Sequence, residues 1–123
     1  MKQVGVQQMT ERQLVDRFAA ICVDQDRALL YSQIAKFNKL FSEMVAIGDE
    51  LKRRPGDRRK ALQPLYRHAN AQVRLQAARV TLAVAPDDAR QLIEAIANSR
   101  RFPQAGDAGM TLWNLDRGVY KPT

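Results

Sequence analysis

The chain holds one thiol and one imidazole, Cys22 and His68. These are the residue types of a nucleophile and its base. A predicted helix break and two further elements separate them, and nothing in the spacing brings them together. Cys22 lies beside an apolar helical stripe, where a small buried hydrophobe is expected. His68 falls in a predicted turn. A single cysteine excludes an internal disulfide framework and a cysteine-based zinc cage. A single histidine excludes a histidine-pair metal site. The carboxylate pairs Asp24/Asp26 and Asp87/Asp88 each point to different helix faces. Asp87 and Asp88 follow Pro86, and all three suit the first turn of a helix. Gly106-x-x-Gly109 is too short for a nucleotide fingerprint and has no strand before it. No catalytic residue, cofactor or metal site is expected.

The charge is uneven. The 123 residues carry 20 Lys+Arg against 13 Asp+Glu, a formal +7. The excess is C-terminal: residues 51–123 carry a balance of +8 and residues 1–50 one of −1. Lys52, Arg53, Arg54, Arg58, Arg59 and Lys60 crowd around Pro55-Gly56. With Arg100 and Arg101 they form a candidate polyanion contact, since cations neutralise phosphates in a salt-dependent way. The same run also suits a helix end, where cations meet the negative end of the helix dipole.

The elements that must position these residues are helices. Apolar residues recur at three and four, and clean alternation is missing. Residues 1–9 read as a flexible tail, and 10–123 as a single domain. Thr10 with Gln13 has the capping-box pattern. Leu14, Phe18, Ile21 and Ala28 follow on one face, interrupted by Gln25. Ser32 can cap a second helix, whose face carries Ile34, Phe37, Leu40, Phe41, Met44, Ile47 and Leu51. Pro55-Gly56 ends it. Asp57 can cap a short third helix containing Pro64, which favours a kink. Asn70 caps a fourth helix running to about Val84. Two apolar stripes on it, Val73/Ala77/Val80/Val84 and Leu75/Ala78/Leu82, imply packing on both sides. Gln72, Gln76 and Arg79 are its remaining polar strip. Pro86 opens a fifth helix, 100–106 reads as a loop, and Asp107 caps a sixth that ends near Arg117. Gly118 sits where a C-terminal cap wants a left-handed residue.

Three helix pairs with short turns lead to a resemblance. Leu62-Gln63-Pro64-Leu65, then Asn70-Ala71-Gln72-Val73-Arg74, then Ala77-Ala78 resembles a HEAT repeat. The terminal pairs match the pattern poorly. The whole chain resembles a family of small uncharacterised bacterial proteins with armadillo/HEAT-like folds. The fold this implies is all-α, a short right-handed α-solenoid of about three helix pairs. The resemblance also makes Arg74 an inter-repeat ladder residue. Certain alkyl-base DNA glycosylases use such repeats, and Trp113 with Asp116 is the one pair that echoes their clefts.

The resulting expectation is a non-enzymatic helical module that binds a protein or peptide. By analogy with HEAT-like stacks, second helices line the binding face. That singles out Lys36 and Lys39, then Gln72, Gln76 and Arg79, then Asn114 and Arg117. Arg79 and Arg117 are the expected anchors, because arginine pairs bidentately with carboxylates. The alternative is nucleic-acid binding through the basic C-terminal two-thirds. No apolar run approaches the ~20 residues that span a bilayer, and the start lacks a signal-peptide centre. A cytoplasmic protein is expected, with its oligomeric state open.

Overall fold

Six helices follow Thr10 in the computed structural model, which describes residues 5–123, and no strand occurs among the described residues. They are α1 (Glu11–Leu30), α2 (Ile34–Arg53), the 3-10 helix Arg58–Arg67, α3 (Ala71–Thr81), α4 (Pro86–Asn98) and α5 (Gln104–Asp116). A short 3-10 turn, Val6–Gln8, precedes them. The chain divides into two compact units, Met1–Ala61 and Leu62–Thr123.

The first unit is a helical hairpin. The Thr10 hydroxyl accepts from the Gln13 N–H at 3.1 Å, and the Gln13 Oε1 accepts from the Thr10 N–H at 2.8 Å. Two otherwise unpaired donors of the first turn are thereby satisfied. Leu14, Phe18, Ile21, Cys22 and Ala28 are buried as the periodicity predicts. Gln25, expected to interrupt that face, is buried with them and donates to the Met44 sulfur at 3.5 Å.

The turn out of α1 differs from expectation. Ser32 does not cap α2; it takes a left-handed backbone with φ of 54°. Its N–H donates to the Leu29 carbonyl and that of Gln33 to the Ala28 carbonyl. These are the two bonds of a Schellman cap, with serine where glycine is usual. The N-cap of α2 is therefore Gln33, which gives no side-chain cap.

On α2, Leu40, Met44, Ile47 and Leu51 are buried, and the helix packs on α1. Ile34 and Phe41, expected on the same face, stay exposed. At 3.6 residues per turn they lie on the order of 100° around the helix from the buried stripe. Of the expected N-terminal tail, Met1–Val4 lies outside the described residues. The adjoining turn is tied down, because Arg54 Nη2 donates to the Val6 and Met9 carbonyls at 3.2 and 2.6 Å.

The 3-10 helix Arg58–Arg67 spans the division and accommodates Pro64. In the second unit, Asn70 caps α3 as predicted, its Oδ1 accepting from the N–H groups of Gln72 and Val73. α3 stops at Thr81, before the expected Val84. Pro86 opens α4 with Asp87 and Asp88 in its first turn, where the dipole favours negative charge. Leu75, Ala78, Leu82, Ala89, Ile93, Ile96 and Ala108 form one buried cluster, with Tyr66, Leu92, Leu112 and Leu115 packed against it. α5 starts at Gln104, inside the stretch expected as loop. Asp107 is therefore not a cap but a first-turn residue. Gly118, with φ of 71°, closes α5: its N–H donates to the Leu115 carbonyl and that of Val119 to the Asn114 carbonyl. That left-handed position is what favours glycine here. Among the described residues no helix is long and apolar enough to cross a membrane.

Candidate interaction surface

The residues that suggested chemistry have structural positions. Cys22 is fully buried, its sulfur 3.8 Å from that of Met44. Burial pushes its thiol up to about 12, so the thiolate is negligible at neutral pH. His68 lies in the turn before α3, where its Nδ1 accepts from the Asn70 N–H at 3.0 Å. Arg74 holds the same turn by donating to the His68 and Ala69 carbonyls at 2.7 and 2.9 Å. Asp116 pairs with Arg90 at 2.8 Å.

Most of the basic run of the first unit meets carboxylates inside that unit. Glu50 pairs with Arg53 at 3.3 Å and with Arg54 at 2.8 Å. Arg58 pairs with Glu11, and Arg59 with Asp57, each at 2.6 Å. These guanidiniums hold Glu50, Glu11 and Asp57 below the usual carboxylate range, chiefly by hydrogen bonding the charged form. Arg59 is itself buried. Lys52 and Lys60 of this run are exposed and make no ion pair among the described residues.

The strip expected from Gln72, Gln76 and Arg79 does not present itself to solvent. Gln72 and Gln76 are buried, and Gln72 Oε1 accepts from Gln104 Nε2 at 3.0 Å. Arg79 reaches across to α5. It pairs with Asp107 at 2.6 Å and donates to the Thr111 hydroxyl from Nε and Nη2, at 3.0 and 2.8 Å. Gln72 and this arginine therefore join α3 to α5. Lys36 and Lys39 are exposed on α2, and Asn114 is half-buried with its carbonyl accepting from Val119 and Tyr120.

Arg117 is different. Its guanidinium carbon sits 5.4 Å from the ring centre of Trp113, which is 58% exposed. Met110, also exposed, lies one turn earlier on the same helical face. Gly106 and Gly109 continue that face and add no side chain to it. The exposed Phe102 ring lies over Gly106, 3.6 Å from where a Cβ would stand. The inner face of α5 carries Ala105, Ala108 and Thr111, all buried. The helix is thus packed on one side and aromatic on the other. Helical spacing could have shown the outer stripe, since Met110, Trp113 and Arg117 are three and four apart. Only the packing shows that nothing in the second unit covers it.

The first unit has its own exposed apolar corner. Leu30, Tyr31 and Ile34 surround the Ser32 turn, and the Phe37 and Phe41 rings stack with centres 6.3 Å apart.

The fold and these surfaces define a small all-α protein of packed helices with a solvent-facing tryptophan–arginine stripe. The chain belongs to the family described as Domain of unknown function (DUF2019), which matches residues 12–116. It is similar to a crystal structure of the protein RPA1889 from Rhodopseudomonas palustris CGA009. The two share 55% identity and a TM-score of 0.94, over 98% of this chain and 100% of that one. No curated protein matches it.

Proposed function

We propose that this chain is a non-enzymatic, HEAT-like helical module that binds a protein partner through the outer face of α5. One observation carries the reading: Trp113 is mostly exposed under the Arg117 guanidinium. Tryptophan and arginine are the residue types that dominate binding energy at protein interfaces. A large apolar ring held in water is otherwise unfavourable, and its burial by a partner recovers that free energy. Pro64 in the first helix of a pair, with Val73-Arg74 and Ala77-Ala78 in the second, supports the repeat reading. The inert position of Cys22 supports a role without covalent chemistry.

Nucleic-acid binding through Lys52–Lys60, Arg100 and Arg101 is the second reading. Arg100 and Arg101 support it, being exposed and outside any ion pair among the described residues. The four ion-paired arginines between Arg53 and Arg59 weigh against it.

The test is affinity capture from the source organism's lysate, with and without nuclease, using the wild-type chain and Trp113→Ala. The expected result is a partner that survives nuclease and is lost with Trp113→Ala. Partners that vanish with nuclease, or that ignore the substitution, would overturn the reading.

A further inference from the structure

The charges around α5 point to the chemistry of the partner. From residue 90 onward the acidic side chains are Glu94, Asp107 and Asp116, and each is already ion-paired, to Arg90 or to Arg79. The cations of the same stretch divide differently. Arg90 is paired, whereas Arg100, Arg101, Arg117 and Lys121 are exposed and form no ion pair among the described residues. In sequence they flank the apolar stripe on both sides. Arg100 and Arg101 immediately precede Phe102, and Arg117 and Lys121 follow the last turn of α5. The helix has 13 residues, so the stripe between these flanks is about 20 Å long.

We propose that the outer face of α5 docks an acidic amphipathic segment of a partner protein. Trp113 and Met110 take its apolar side chains, and the cations at either end take its carboxylates. This rests on the interaction reading above and adds the partner's charge to it. Two other occupants fit worse. A second copy would set the same uncompensated cations against each other, and like charges facing across an interface are costly. Single-stranded nucleic acid needs cations that track the phosphates along the groove, yet the middle of this face holds Gly106, Gly109 and Met110. The Arg117 guanidinium already lies over the indole, and a cation–π contact of this kind lowers the ordering cost of a bidentate contact to a carboxylate.

Trp113 is the chain's only tryptophan, so its emission reports this face alone. The experiment pans a random peptide library against the full chain and titrates the recovered peptides by Trp113 fluorescence. A 15-nucleotide oligo-dT is titrated in parallel. The expected peptides are net acidic with spaced apolar residues, and they shift the emission to the blue. Arg117→Glu should weaken them about tenfold, added salt should weaken them further, and Trp113→Ala should remove them from the selected pool. Peptides that depend on Trp113 but are neutral or basic would overturn the acidic partner and leave the interaction reading standing. A library without any Trp113-dependent binder would remove both. Oligo-dT binding more tightly than any peptide would replace the protein partner with nucleic acid.

Discussion

The densest arginine runs of the two compact units meet different surroundings. In Met1–Ala61 the arginines from Arg53 to Arg59 all meet carboxylates of the same unit. In Leu62–Thr123 the arginines divide: Arg79 and Arg90 clamp helices, and Arg100, Arg101 and Arg117 face outward around an aromatic stripe. The densest basic run is thus not the most available one. Charge density along a sequence counts cations, but availability depends on which carboxylates the fold brings beside them. The apolar surfaces differ in the same sense. The first unit exposes aliphatic and phenyl groups at a turn, whereas the second exposes an indole under a guanidinium.

The largest expected difference between the two units lies in packing. Leu75 is completely buried in the apolar cluster of the second unit, while Ile34 is 73% exposed on the first. Leu75→Ala should cost about 2–5 kcal/mol, and Ile34→Ala within about 0.5 kcal/mol. Denaturant unfolding of both variants checks this, and equal losses would mean that Ile34 is covered in solution.

The arginines come next. Arg79→Ala removes the link from α3 to Asp107 and Thr111 and should cost about 1 kcal/mol, as a partly exposed pair does. Arg117→Ala should leave the thermal midpoint unchanged while weakening partner binding. If Arg79→Ala weakened binding with no change in midpoint, the division between clamping and outward arginines would fail.

A smaller effect is expected from pH, because exposed pairs are screened. Glu11, Glu50 and Asp57 titrate below their ordinary values. A depressed carboxylate contributes stability above its unfolded value and loses it as pH falls through the folded one. The first unit should therefore weaken under acid, below about pH 4.5. In the second unit, burial raises the Tyr66 phenol above 10.0, against a hydrogen bond with Thr81 that lowers it. Its contribution is complete below pH 10 and lost as pH rises beyond. Thermal midpoints against pH should fall on both sides, with Glu11→Gln flattening only the acid limb. The smallest expected effect is that of Trp113→Ala on stability, within about 0.5 kcal/mol for an exposed site.

Much of the helical layout was legible in the sequence because local signals decide it. The Thr10–Gln13 box, the Asn70 cap, Pro86 and Gly118 each act within a few residues. Where non-local packing decides, the sequence pattern points the wrong way. Ile34 and Phe41 join the stripe of Leu40 and Met44 by spacing, yet one helical partner covers only part of a helix's circumference. Gln72 and Gln76 looked like a solvent strip because they are polar. Burial with a hydrogen-bond partner, which Gln104 supplies to Gln72, has no local signature. Asp107 looked like a cap because its partner, Arg79, is distant in sequence. Arg117 stands out in the sequence by its type alone; its position over Trp113 needed the end of α5 to be placed.

The central claim is that the α5 face is open in the free chain and covered in the complex. Iodide quenching of Trp113, measured on the chain alone and again with its captured partner, tests it most directly. Strong quenching that the partner suppresses is the predicted result. An indole already shielded in the free chain, or one equally accessible in the complex, would contradict the account.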